Sequence, residues 1–191
     1  MEKKYWPGWA KSLAALVNEG MLDRDRLLDE MLKALNRGFP AHRVRWFTQH
    51  YEDFAPSEEE TTKRQHLLIA AMSSGVGSTT TFAVKQLSRL SELDADGFVA
   101  AAAHALSGSK ATAITALKML EKISAERENL AAGIAIAAQT GLYHAKDEVV
   151  RRSAALLRTL NRAELIDAAR DTLSPVTVSY THLTLPTICS V

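Results

Sequence analysis

A single cysteine, Cys189, stands in the whole chain, so no disulfide can close within it and a reducing compartment fits. No run of about 18 uncharged apolar residues occurs, which excludes a membrane-spanning helix. The opening Met1-Glu2-Lys3-Lys4-Tyr5-Trp6-Pro7 has no apolar core of a signal peptide. We therefore expect a cytoplasmic protein with no membrane partner. An excess of either charge is missing too: 23 Lys and Arg face 22 Asp and Glu, a net charge of +1. Bulk charge thus argues neither for nor against nucleic acid. No segment before residue 178 alternates β-branched and polar residues long enough to read as a strand.

What is present is helical. Apolar residues make up 47% of the 191 residues and charged ones 24%, the composition of an ordinary globular domain with a sizeable core. The apolar positions recur at helical spacing and are punctuated by Gly, Pro and capping residues. The spacing predicts a first helix over about 9–19, with Leu13, Leu16 and Val17 inward, and a second over about 23–36, stopped by Gly38. A third begins at Pro40, its face Val44, Phe47, Tyr51 and Phe54. A fourth opens on a capping box, Ser57 with Glu60, and carries Leu67, Leu68, Ala71 and Met72. Further helices are expected over about 79–90, 95–106, 110–123, 125–140 and 146–160. A tenth, capped by Asn161 with Glu164, should end before Pro175.

The chain repeats itself. Ala83-Val84-Lys85-Gln86-Leu87 matches Ala116-Leu117-Lys118-Met119-Leu120, and Leu156-Leu157-Arg158-Thr159-Leu160 is a looser third copy. Gly75 and Gly108 precede the first two copies at matching distance. Helix pairs that cannot bury their stripes alone must stack. Short connections make neighbouring helices antiparallel. The expected fold is all-α: a right-handed HEAT/armadillo-like α-solenoid of antiparallel helix pairs in one domain, 1–177.

The last fourteen residues differ from the rest. Val178 to Val191 contains no Lys, Arg, Asp or Glu and no helical period. Val178 to Thr187 resembles one reading frame of a transposon-end adaptor used in preparing DNA sequencing libraries: GTC TCT TAT ACA CAT CTG ACG CTG CCG ACG encodes those residues in order. We expect 178–191 to be a non-native or disordered tail, with the natural chain continuing past Thr177.

Four segments resemble a family. The run Leu22-Asp23-Arg24-Asp25-Arg26-Leu27-Leu28-Asp29, then Arg45-Trp46-Phe47, Ala55-Pro56-Ser57 and Lys110-Ala111-Thr112-Ala113 are similar to the bacterial family DUF6493. The likeness extends over about 9–160. It implies a HEAT-like helical repeat protein, often much longer than this chain. It implies no chemistry and carries over no catalytic residue.

The residues themselves point to no cofactor, metal or catalytic group. No His-Glu-x-x-His occurs, and no Gly-x-Ser-x-Gly. His50-Tyr51-Glu52-Asp53 reads as a solvated helix end. Asp29-Glu30 and Glu58-Glu59-Glu60 read as helix-surface and helix-start carboxylates. Ser73-Ser74-Gly75-Val76-Gly77-Ser78-Thr79-Thr80 lacks the Gly-Lys-Ser/Thr of a phosphate loop and reads as an inter-helix turn with a Ser or Thr cap. Trp46 falls off its helix stripe and is expected to pack on a neighbouring pair, the alternative being an exposed contact residue. One constellation rises above this: the repeat aligns Lys85, Lys118 and Arg158, and four residues on, Arg89, Lys122 and Arg162. On stacked helices these six would form a basic binding ridge. The usual fate of such residues is a solvated face, here with Glu121, Glu126 and Glu128 nearby. The expected role is a non-catalytic scaffold whose partner is another protein. The alternative is a nucleic-acid backbone held on the ridge.

Overall fold

The computed structural model describes residues 6–169, and its helices run in the order α1 (Trp6–Asn18), α2 (Arg24–Leu35), α3 (Ala41–Asp53), α4 (Glu58–Lys63), α5 (Gln65–Met72), α6 (Gly77–Leu87), α7 (Ala95–Leu106), α8 (Lys110–Glu126), α9 (Ala131–Gly141), α10 (Asp147–Thr159) and α11 (Ala163–Ala168). A 3-10 turn, Glu128–Leu130, precedes α9. No strand forms among the described residues. The adaptor-like stretch 178–191 and the stop before Pro175 lie outside them.

The chain divides into two compact units between Phe98 and Val99, inside α7. In unit 1, α2 packs on α3 and on α5, α3 packs on α6, and α5 packs on α6. Its core joins Leu28, Leu32 and Leu35 of α2, Val44 and Tyr51 of α3, Leu68 and Met72 of α5, and Val84 and Leu87 of α6, all essentially inaccessible. Tyr51 meets Phe82 edge-to-face at 5.7 Å between ring centroids, a favoured aromatic geometry. In unit 2, α10 packs on α8, α9 and α11. Ala113, Leu117, Leu120, Ile134, Ala138, Val149 and Leu157 form its core.

Local signals decide some of the helix ends. Asp23 caps α2 by accepting from the Arg26 amide at 2.7 Å. Ser57 and Glu60 form the reciprocal capping box, with bonds of 2.8 and 3.1 Å. Gly38 takes φ +68 just past α2, a left-handed conformation that a β-carbon resists.

Four expectations need correction. Leu16 does not face inward: it is 36% exposed, and Ala10, Ala14 and Val17 instead line a small cavity with Phe54. The fourth helix is two, broken at Arg64 (φ −107, ψ 6), whose guanidinium is drawn sideways to α2. Asn161 caps nothing at a helix start. It sits at φ 56 after α10, a conformation Asn tolerates, and Arg162 precedes α11. The turn at 73–76 carries no side-chain cap for α6, whose N-cap is Val76. Thr80 instead donates to the Met72 carbonyl at 3.0 Å.

Candidate functional site

Unit 1 carries a charged network that a sequence scan passes over. Arg64 is 4% exposed. Its guanidinium donates to Asp29 Oδ1 at 2.7 Å, to Asp25 Oδ1 at 2.5 Å, and to the carbonyls of Asp25 and Glu60 at 3.0 and 2.8 Å. Arg24 binds both oxygens of Glu60, at 2.6 and 3.1 Å, and donates to the Phe54 carbonyl. Asp29 and Glu60 are therefore not merely surface carboxylates. The bonds join side chains of α2 to Glu60 of α4 and to Arg64 at the start of α5, and so fix these elements against one another.

The network carries a pH signature. The Arg24 guanidinium beside Glu60 outweighs the desolvation opposing it and, with the Ser57 amide, holds that carboxyl down to about 2. A folded-state value below the unfolded 4.5 means that the unfolded chain takes up the proton first. The stabilisation is complete above about pH 5 and is lost as pH falls toward 2. Glu60→Gln should flatten the acid limb of a stability-versus-pH curve by on the order of 2 kcal/mol, a figure reduced for solvent screening. Urea denaturation at stepped pH would measure it, and parallel curves for the two proteins would refute the assignment.

The six basic residues of the expected ridge are on view in their own units. In unit 1, Lys85 Nζ is bound to Glu52 at 2.7 Å, while Arg89 is exposed just past α6. In unit 2, Lys118 and Lys122 project from one exposed face of α8, a turn apart. Arg158 is half-buried near the end of α10, and Arg162 stands 3.6 Å from Glu164. Two of the six are thus partly neutralised by carboxylates. Trp46 is half-buried and packs edge-to-face on Phe47 and His50 of its own helix, with centroids 5.0 and 4.3 Å away. His50 itself is buried, its Nδ1 3.1 Å from Asp53. No cluster of three metal-ligating side chains occurs among the described residues, and no helix there is long and apolar enough to cross a membrane.

Unit 2 carries a concavity of its own. A cavity of about 630 Å³ opens between the α7–α8 turn (Ser107, Gly108, Ser109, Lys110) and the end of α9 with its following turn (Gln139, Thr140, Tyr143 to Lys146). His144 pins its two sides together. The Lys146 amide donates to Nδ1 at 3.0 Å, so Nδ1 accepts and Nε2 carries the proton toward the Gly108 carbonyl at 3.1 Å. Beside the cavity, Ile136 is 70% exposed and Tyr143 57% exposed. Seven residues apart, they mark one line along α9 and beyond its end. In unit 1, Trp9 and Leu16 repeat this spacing on α1. Sequence reading missed the α9 line because Ile134 and Ile136 look alike in an Ala-rich helix, yet only Ile134 is buried.

Among known proteins, a family model described as a domain of unknown function (DUF6493) matches residues 2–111. No curated protein and no solved structure matches the chain.

Proposed function

We propose, for a chain that belongs to the DUF6493 family, the role of a non-catalytic scaffold of HEAT-like helix pairs that holds another protein. The observation that carries this reading is the outward placement of large apolar side chains at two-turn spacing, Trp9 with Leu16 and Ile136 with Tyr143. Scattered apolar residues are normal on a surface, but aligned ones leave a face that water covers at a cost and a partner can cover instead. The pairwise packing supports the repeat: α2 lies on α5 as α3 lies on α6, and α8 lies on α10. That is first helix on first and second on second, as stacked pairs would give. The repeated Lys85, Lys118 and Arg158 fall on α6, α8 and α10, each a second helix in this scheme.

The test is co-purification with the intact tagged chain and with Trp9→Asp and Ile136→Asp, read by quantitative mass spectrometry. At least one protein should drop by about tenfold or more with one of the variants while far-UV circular dichroism is unchanged. Protein recoveries equal across all three, or nucleic acid as the co-purifying material and its loss in Lys118→Ala/Lys122→Ala, would overturn the reading.

A further inference from the structure

We propose that the unit 2 cavity and the adjoining outer line of α9 bind an acidic peptide segment of a partner protein. The proposal rests on the scaffold reading and adds the place and the chemistry of the partner. Its charge argument is direct. The charged residues that line the cavity are two lysines, Lys110 and Lys146, and no carboxylate lines it. Next in the chain after Lys146 stand the acidic Asp147 and Glu148 of the first turn of α10. Glu148 is bound to Lys110 at 2.5 Å in a pair whose side chains are each about half exposed. Such a pair contributes little and is readily exchanged for an incoming carboxylate. No ion pair among the described residues engages Lys146.

Shape and polarity fit the same occupant. Gln139, Thr140 and Tyr143 offer amide and hydroxyl groups to a peptide backbone. Ile136 lies one turn before Gln139 and Thr140 of the lining, so an apolar side chain seated on Ile136 adjoins a backbone lying over those two residues. The volume, about 630 Å³, lies within the range of ligand sites. The His144–Gly108 bond ties the two walls together before anything binds, and the Lys146 amide fixes the ring that makes it, which lowers the ordering cost of association. A nucleic-acid backbone would use the lysines but leave the Ile136 contact idle.

The experiment is selection from a displayed library of random linear peptides on the full chain. Fluorescence anisotropy of the enriched peptides follows, on wild type, Lys110→Ala, Lys146→Ala, Lys146→Arg and Ile136→Asp, each checked by circular dichroism. The expected peptides carry Asp or Glu next to a Leu, Ile or aromatic residue. Each lysine-to-alanine change should weaken them about fivefold, and Lys146→Arg should restore most of the loss. Ile136→Asp should weaken them at least about thirtyfold. Enriched peptides that lack acidic residues, or that bind all variants equally, would overturn this site while leaving the scaffold reading in place. Enrichment of no peptide at all would count against both. Tighter binding of a single-stranded oligothymidine than of any peptide, lost in Lys110→Ala and Lys146→Ala, would replace the proposal with nucleic acid.

Discussion

Arg64→Ala should cost unit 1 about 3 kcal/mol, the sum of lost charge-assisted hydrogen bonds and lost packing of a buried stem. The guanidinium makes four bonds to three residues, and two of its acceptors are backbone carbonyls that the alanine would leave without it. The aspartates behave differently. Asp25 is 68% exposed and Asp29 39% exposed, so either can turn to water. Asp25→Asn should therefore cost no more than about 1 kcal/mol. All three tryptophans, Trp6, Trp9 and Trp46, lie in residues 1–98, so urea transitions followed by tryptophan fluorescence report this unit. A loss below 1 kcal/mol for Arg64→Ala would mean that the ring is ornamental.

Gly141→Ala should destabilise unit 2 by about 1–2 kcal/mol, although alanine is the better helix former. A β-carbon at Gly141 would fall on Ser153 Oγ and within 3.1 Å of Ser153 Cβ. Ser153 is fully buried on α10, and its Oγ has no hydrogen-bond partner among the described residues. Removing that oxygen makes room without orphaning a partner, so Ser153→Ala alone should stay within about 0.5 kcal/mol of wild type. The double variant should recover most of the loss, with a coupling energy near 1 kcal/mol. Far-UV circular dichroism of urea unfolding would measure the cycle. Additive single effects would show that α9 and α10 do not meet at this point.

What the sequence discloses and what it withholds follow the range of the interactions. Ser57 with Glu60 is a four-residue motif, and Gly38 needs only its own φ, so both were legible. The helix over 95–106 follows from periodicity, as does the start of the next at Lys110, whereas that helix runs on to Glu126 rather than stopping near 123. Arg64 was not legible. It stands in Thr61-Thr62-Lys63-Arg64-Gln65, where it looks like any solvated base, and its acceptors on α2 lie 35 and 39 residues away. The same holds for Lys85, whose partner Glu52 is 33 residues back. Leu16 and Ile136 were misjudged or missed because α1 and α9 are apolar nearly all round, and periodicity alone does not say which side a neighbour takes. The site in unit 2 is built by two turns that Gly108, Gly141 and His144 announce only as punctuation.

The distance between the two halves of the Arg64 ring also sets an order of events during synthesis. α2 leaves the ribosome with Arg24, Asp25 and Asp29 facing water, because Glu60 and Arg64 are still some 35 to 39 residues from completion. By then α2 and α3 can already join through Leu28, Leu32 and Val44, whose contacts close over a short loop. The charged ring cannot close before Arg64 has been made. Until then α4, only six residues long and too short to persist alone, lacks the Arg24–Glu60 bonds that hold it to α2.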